Sequence, residues 1–137
     1  MNENDILIRT KDLDWVPAFP GAWVKPLRSC SVTGQWTQLL KLEAGASLPP
    51  HFHLGAGEFI VLEGELHYAS GIARPGDYGY EALGAYHADT RAPVETILFY
   101  VGHGSLALLD EDGKICGAMG SDNINGFKAP PRQKSAA

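Results

Sequence analysis

An all-β domain of short antiparallel strands, folded as a sandwich or barrel, is the class that this sequence predicts. Three observations carry the prediction. Sixteen glycines and nine prolines in 137 residues leave little room for long helices. Between them lie brief runs of β-favouring residues, the clearest being QWTQLLKL at Gln35–Leu42 and VETILFYV at Val94–Val101. Turn signals then follow one another at short intervals, as sandwiches and barrels require.

The elements follow in chain order. The first dozen residues read as mobile or edge-paired, and Trp15 and Trp23, beside Pro17 and Pro20, as core or interface aromatics. In Gln35–Leu42 the alternation sets Trp36, Gln38, Leu40 and Leu42 on one face. Ala44-Gly45 ends that strand, and Pro49-Pro50 forces an extended entry into His51. Phe59–Leu62 reads as a strand, Glu63-Gly64 as a turn and Glu65–Tyr68 as its hairpin partner. Ser70-Gly71 and Pro75-Gly76 mark further turns, and Tyr78–Glu81 and Tyr86–Thr90 are short strands about Leu83-Gly84. Val94–Val101 and Ser105–Leu109 complete the set, with a hairpin turn at Asp110–Gly113 too short for a calcium loop. One domain over residues 1–120 is expected, its core at about 35–110, with a poorly ordered polar tail from 121 to 137.

Composition narrows the function classes. A formal net charge of -5 without a basic stripe disfavours nucleic acid and anionic membranes as partners. No apolar run reaches membrane-spanning length, and MNENDILIRTKDLD is too polar for a signal peptide. Cys30 and Cys116 stand far apart without CxxC spacing, so structural thiols in a reduced, cytoplasmic protein are expected.

Chemistry concentrates in HFHLGAGEFIVLEG, residues 51 to 64. On a strand, positions i and i+2 face the same way, so His51 and His53 present both imidazoles to one cavity. A first-row ion needs at least one more protein ligand, and His87 is the best candidate. His67 and His103 read as ordinary surface or core residues.

The spacing resembles the cupin superfamily. Its first motif is met by Gly45, His51 and His53; its second by Gly76, Gly84 and His87, with Ala82 in the usual proline's place. The resemblance covers most of residues 35 to 110. It implies a double-stranded β-helix, jelly-roll-like, with few or no helices and a metal inside the barrel on His51, His53 and His87. Glu58 departs from the pattern: five residues, not six, separate it from Gly64, and counting back from that turn puts Gly57 in the ligand slot. A one-residue shift turns a side chain to the other face, whereas a bulge in Gly55-Ala56-Gly57 would restore Glu58 as a ligand. Both readings stand, with a three-histidine site favoured.

Within the cupins the chain looks like the acetylacetone (β-diketone) dioxygenases and related C–C-cleaving enzymes, through PPHFH, EFIVLEGEL, GDYGYE and LLDEDG. That likeness implies that Glu81, six residues before His87, holds the ligand histidine's other ring nitrogen without touching the metal. It implies Fe(II), because zinc has no redox chemistry, although zinc or nickel would suit the donors. Three neutral imidazoles leave the full dipositive charge to act on a β-dicarbonyl or hydroxyketone in the presence of O2. Trp36, Gln38, Leu40 and Phe59 would line the substrate pocket, and a homodimer is expected by analogy. The alternatives are a metal- or ligand-sensing cupin of the ChrR type and a zinc or nickel isomerase. The sensor is disfavoured because ChrR-type proteins carry a helical zinc-binding segment before the cupin, and the first 30 residues here hold one cysteine and no histidine.

Overall fold

The largest sheet draws its six strands from separate parts of the chain, between Val16 and Gly102. A computed structural model describes residues 4–122. In order, the described strands are β1 (Val16–Phe19), β2 (Ala22–Ser29), β3 (Trp36–Leu42), β4 (Ser47–Leu48), β5 (His51–His53), β6 (Gly57–Glu63) and β7 (Leu66–Tyr68). They continue with β8 (Gly71–Ala73), β9 (Tyr78–Glu81), β10 (Tyr86–His87), β11 (Thr90–Arg91), β12 (Thr96–Gly102), β13 (Leu106–Leu109) and β14 (Ile115–Met119). A 3₁₀ turn at Thr10–Asp12 is the one helical element among the described residues, and none there is long and apolar enough to cross a membrane.

The strands form a six-stranded sheet, β1-β2-β3-β12-β6-β9, and two four-stranded sheets, β10-β5-β13-β14 and β4-β11-β7-β8. All pairings are antiparallel. Alternation decides what faces inward: Thr96, Leu98, Tyr100 and Gly102 on β12, and Gly57, Phe59 and Val61 on β6. Trp36, Gln38, Leu40 and Leu42 do the same on β3. With Leu66 and Ala73 from one smaller sheet and Leu106, Leu108 and Met119 from the other, they close a single core. Each fully buried Leu, Val or Phe there contributes roughly 1.5–3 kcal/mol. The hairpin turn after β13 is as expected: Gly113 N–H donates to the Asp110 carbonyl, and Asp110 Oδ1 accepts from the N–H groups of Asp112 and Lys114.

Two expectations are corrected. Leu66–Tyr68 is not the hairpin partner of β6: β6 pairs with β12 and β9, whereas β7 pairs with β11 and β8. Glu63-Gly64 is instead a corner between sheets. Gly64 has φ +85°, and a Cβ there would lie 2.2 Å from the Glu95 carbonyl oxygen. Thr96 Oγ1 pins the corner, accepting from the Glu65 N–H at 2.9 Å and donating to the Val94 carbonyl at 2.8 Å. The core also reaches beyond 35–110, because β1, β2 and β14 supply Ala18, Ala22, Val24 and Met119. Prolines hid the early strands. Pro17 sits on edge strand β1, and the β2 register shifts between Pro26 and Arg28, where the missing N–H leaves the ladder. Lys25 in β2 is buried beneath Trp15, 4.8 Å from its ring, and donates to the Thr10 carbonyl at 2.8 Å. The tail from 123 onward lies outside the described residues.

Removing the Thr96 hydroxyl leaves the Glu65 N–H without its acceptor. Thr96→Val should therefore cost about 1–3 kcal/mol in urea unfolding, with Thr96→Ser recovering most of it.

Candidate metal centre

His51 and His53 lie on β5, two residues apart and both buried. β10 pairs beside β5 with His87 directly opposite His51, which brings the third imidazole alongside. Ring centroids are 5.3 Å apart for His51–His53, 5.2 Å for His51–His87 and 5.0 Å for His53–His87. Glu81, at the end of β9 opposite Gly57, enters the same cluster. Its Oε2 is 3.0 Å from His87 Nε2 and 3.3 Å from His53 Nε2. One ligand atom from each of the four residues lies within 4.8 Å of all the others.

Hydrogen bonds fix which nitrogens are available. His51 Nδ1 donates to the Pro49 carbonyl at 3.0 Å and His53 Nδ1 to the Gly55 carbonyl at 3.2 Å. A carbonyl only accepts, so each neutral ring carries its lone pair on Nε2. Among the described residues, His53 Nε2 and both ring nitrogens of His87 are buried without a hydrogen-bond partner. A lone pair facing a carboxylate oxygen across 3.3 Å is repulsive unless a cation lies between them. Two ligands bound at about 2.1 Å are roughly 3.0 Å apart at a right angle and roughly 3.4 Å apart at the tetrahedral angle. The Glu81 distances match that range, so the donor set fits a divalent metal ion.

Glu81 thus reaches the point where the imidazoles converge, carried there by the end of β9, and its Oε2 lies against a ring nitrogen of His87. Burial opposes its ionisation, but in the metal-free protein a hydrogen bond from His53 and the charge that protonated His53, His87 and His51 carry outweigh burial and hold the carboxyl below the ordinary range. Burial pushes His51 down despite its bond to the Pro49 carbonyl, and burial likewise lowers His87 against the pull of Glu81. Neutral imidazoles beside an ionised carboxylate are the protonation states that metal binding needs.

Glu58 is not part of the cluster. It faces outward on β6, where it accepts from the Tyr78 hydroxyl and lies 2.6 Å from His103 Nε2. Pairing with β12 runs without a bulge from Ile60 to Gly57, so parity places Gly57 inward and Glu58 outward. Gly57 is inward for a steric reason: a Cβ there would lie 2.0 Å from the Tyr100 hydroxyl. His103 is thus bound up with Glu58, and half-buried His67 lies 3.4 Å from Glu65. Neither Cys30 nor Cys116 takes part in a disulfide among the described residues.

Trp36, Gln38, Leu40 and Phe59 all border a cavity of about 50 Å³ that His51 and Glu81 also line. That is several times the roughly 10–15 Å³ one water requires. The walls also include Tyr68, Thr90 and Tyr100, which the sequence reading passed over. Tyr100 was accessible to it, since Tyr100 shares parity with Thr96 and Leu98 in VETILFYV. Burial drives the Tyr100 hydroxyl well above its usual pKa, so it stays protonated.

A sheet-walled barrel with converging histidines defines a cupin, and the comparisons agree. Residues 3–107 match the family described as the ChrR cupin-like domain, and the chain belongs to that family. It is 30% identical over 141 residues to the acetylacetone-cleaving enzyme of Acinetobacter johnsonii, with 94% of this chain and 92% of that protein covered. The solved structure of an acetylacetone dioxygenase from Acinetobacter johnsonii superposes with a TM-score of 0.80 at 28% identity, covering 92% of this chain and 91% of that one. The structure of a candidate acetylacetone dioxygenase from Methylibium petroleiphilum PM1 gives 0.84 at 26% identity, covering 92% and 95%. The anti-sigma factor ChrR, solved with SigE of Rhodobacter sphaeroides, gives 0.61 at 21% identity, covering 69% and 51%, a likeness of fold alone.

Two outcomes are expected. Glu58→Gln should leave metal per chain unchanged by mass spectrometry, whereas His51→Ala and His87→Ala should each abolish stoichiometric binding. In the metal-free protein, the unfolded chain takes up protons at His51 and His87 near the ordinary 6.5 before the folded chain does. The folded Glu81 likewise resists protonation below the ordinary 4.5. Both place more protons on the unfolded state, so stability should fall as pH drops below 6.5 and fall further below 4.5. Urea midpoints across pH 4–8 measure this, and the first step should shrink in His51→Gln.

Proposed function

We propose that this chain is a non-haem, Fe(II)-dependent dioxygenase that cleaves a C–C bond of a small β-dicarbonyl or hydroxyketone. The observation that carries the reading is the convergence of His51, His53, His87 and Glu81 on one point at the wall of a mainly apolar cavity. Its relatives named as acetylacetone-cleaving enzymes supply the reaction class. Iron bound there would supply Lewis-acid activation of the dicarbonyl and redox access to O2. The chain itself contributes the remaining parts. The Pro49 and Gly55 carbonyls hold two imidazoles in the tautomer that presents Nε2. Leu40, Phe59, Leu98 and Leu108 keep bulk water from the substrate carbons. Glu81 is the one carboxylate among the lining residues. Homodimerisation is part of the same reading, with β1 and β9 at the edges of the large sheet as the pairing surfaces.

A second reading draws on the same carboxylate. A Glu81 ligand offsets part of the metal's charge, which suits a zinc or nickel isomerase, or a cupin that binds metal and ligand without turnover. Anaerobic purification from cells given mixed metals separates the two. Near-stoichiometric iron, with Fe(II)-dependent O2 uptake on pentane-2,4-dione that His87→Ala abolishes, is the expected result. Stoichiometric zinc or nickel without O2 uptake would favour the second reading.

A further inference from the structure

Three polar residues of the cavity wall outside the metal cluster, Gln38, Thr90 and Tyr100, each bury an atom without a hydrogen-bond partner among the described residues, and two of them stand side by side. Gln38 and Tyr100 face each other in register across β3 and β12, and both side chains point inward. They are 3% and 6% exposed. Gln38 Oε1 and the Tyr100 hydroxyl have no hydrogen-bond partner among the described residues, even in each other. Burying such groups unpaired is costly, and most of the lining around them is apolar: Phe19, Trp36, Leu40, Leu98 and Leu106. The Tyr100 hydroxyl also sits where a Gly57 side chain would be, and Gly57 is the strand partner of Glu81. The polar pair and the metal cluster therefore border the same space. The Trp36 ring, 5.1 Å from that of Tyr100, backs the phenol, and its own N–H is already committed to the Gly104 carbonyl at 2.8 Å.

We propose that Gln38 and Tyr100 form a second anchor for the cavity's ligand, which takes a hydroxyl group while a carbonyl oxygen of the same molecule faces the histidine cluster. A hydroxyl suits the pair because it accepts from the phenol O–H and donates to Gln38 Oε1, satisfying both groups at once. A second ketone oxygen would satisfy only the phenol. The substrate class is then a compact hydroxyketone with an apolar spacer. The inference rests on the cavity being the substrate site, as proposed above, and makes Gln38 and Tyr100 the specificity-determining residues within it.

Binding of 5-hydroxypentan-2-one and of 2-pentanone to the zinc-loaded protein tests this without requiring turnover. These ligands share a carbon skeleton and differ by the hydroxyl. By calorimetry the wild type should bind the hydroxyketone at least about tenfold more tightly. Tyr100→Phe and Gln38→Met should each bring the ratio close to one while leaving 2-pentanone affinity in place, which a merely structural role would not do. A wild-type ratio near one would mean that the pair holds ordered water only and would overturn the inference, as would a ratio that survives both substitutions. Failure of both ligands to bind would also overturn it. Iron content and O2 uptake on pentane-2,4-dione are measured separately, so the dioxygenase reading stands or falls by itself.

Discussion

The register of β6 on β12, which buries Gly57, Phe59 and Val61 and lays the Tyr100 hydroxyl over the bare backbone of Gly57, sets the strand parity on which the site depends. No side chain fits at position 57 while the phenol lies across it, and β6 alternates regularly from there to Val61, where the register shifts. Glu58 consequently faces solvent and its carboxylate is engaged by Tyr78 and His103. The carboxylate of the cluster comes instead from the neighbouring strand, through Glu81. A barrel strand shifted by one residue would present a different donor set from the same sequence.

Electrostatics then make the cluster self-consistent. Desolvation penalises charge on His51 and His87, so they are held neutral. The same burial opposes charge on Glu81, and in the metal-free protein a proton on the neighbouring imidazoles offsets it. The result is an arrangement of lone pairs with one negative charge, enclosed by aliphatic and aromatic walls. Such a group is at its most favourable with a cation at its centre. The charge of Glu81 beside the imidazoles would offset part of a bound cation's charge, which is why the metal's identity carries so much of the functional question.

The supporting fold is arranged around that cluster. The imidazoles sit on β5 and β10 in one sheet, Glu81 on β9 in another, and much of the cavity wall on β3 and β12. No local segment holds the site by itself. The Thr96 corner at Gly64 matters for this reason: it carries the chain out of the large sheet without disturbing the inward set of β6.

Much of this was legible in the residues. Period-two alternation in QWTQLLKL and VETILFYV placed Trp36, Gln38 and Leu40 inward and would have placed Tyr100 there too. The spacing of His51, His53 and His87, set beside the cupin motifs, named the histidines that meet, because two of them share a strand face and the third follows a bend of defined length. The strands around Pro17 and Pro26 were hidden, since proline weakens the local β signal and only a bulged or edge position tolerates it. Whether β6 and β7 form a hairpin or part into different sheets was equally closed to local reading, because a tight glycine turn serves both. The choice between Glu58 and Glu81 was decided only in three dimensions. It turns on whether the phenol of a residue more than forty positions away fills the space above Gly57, and that is a property of packed strands rather than of neighbours in the chain.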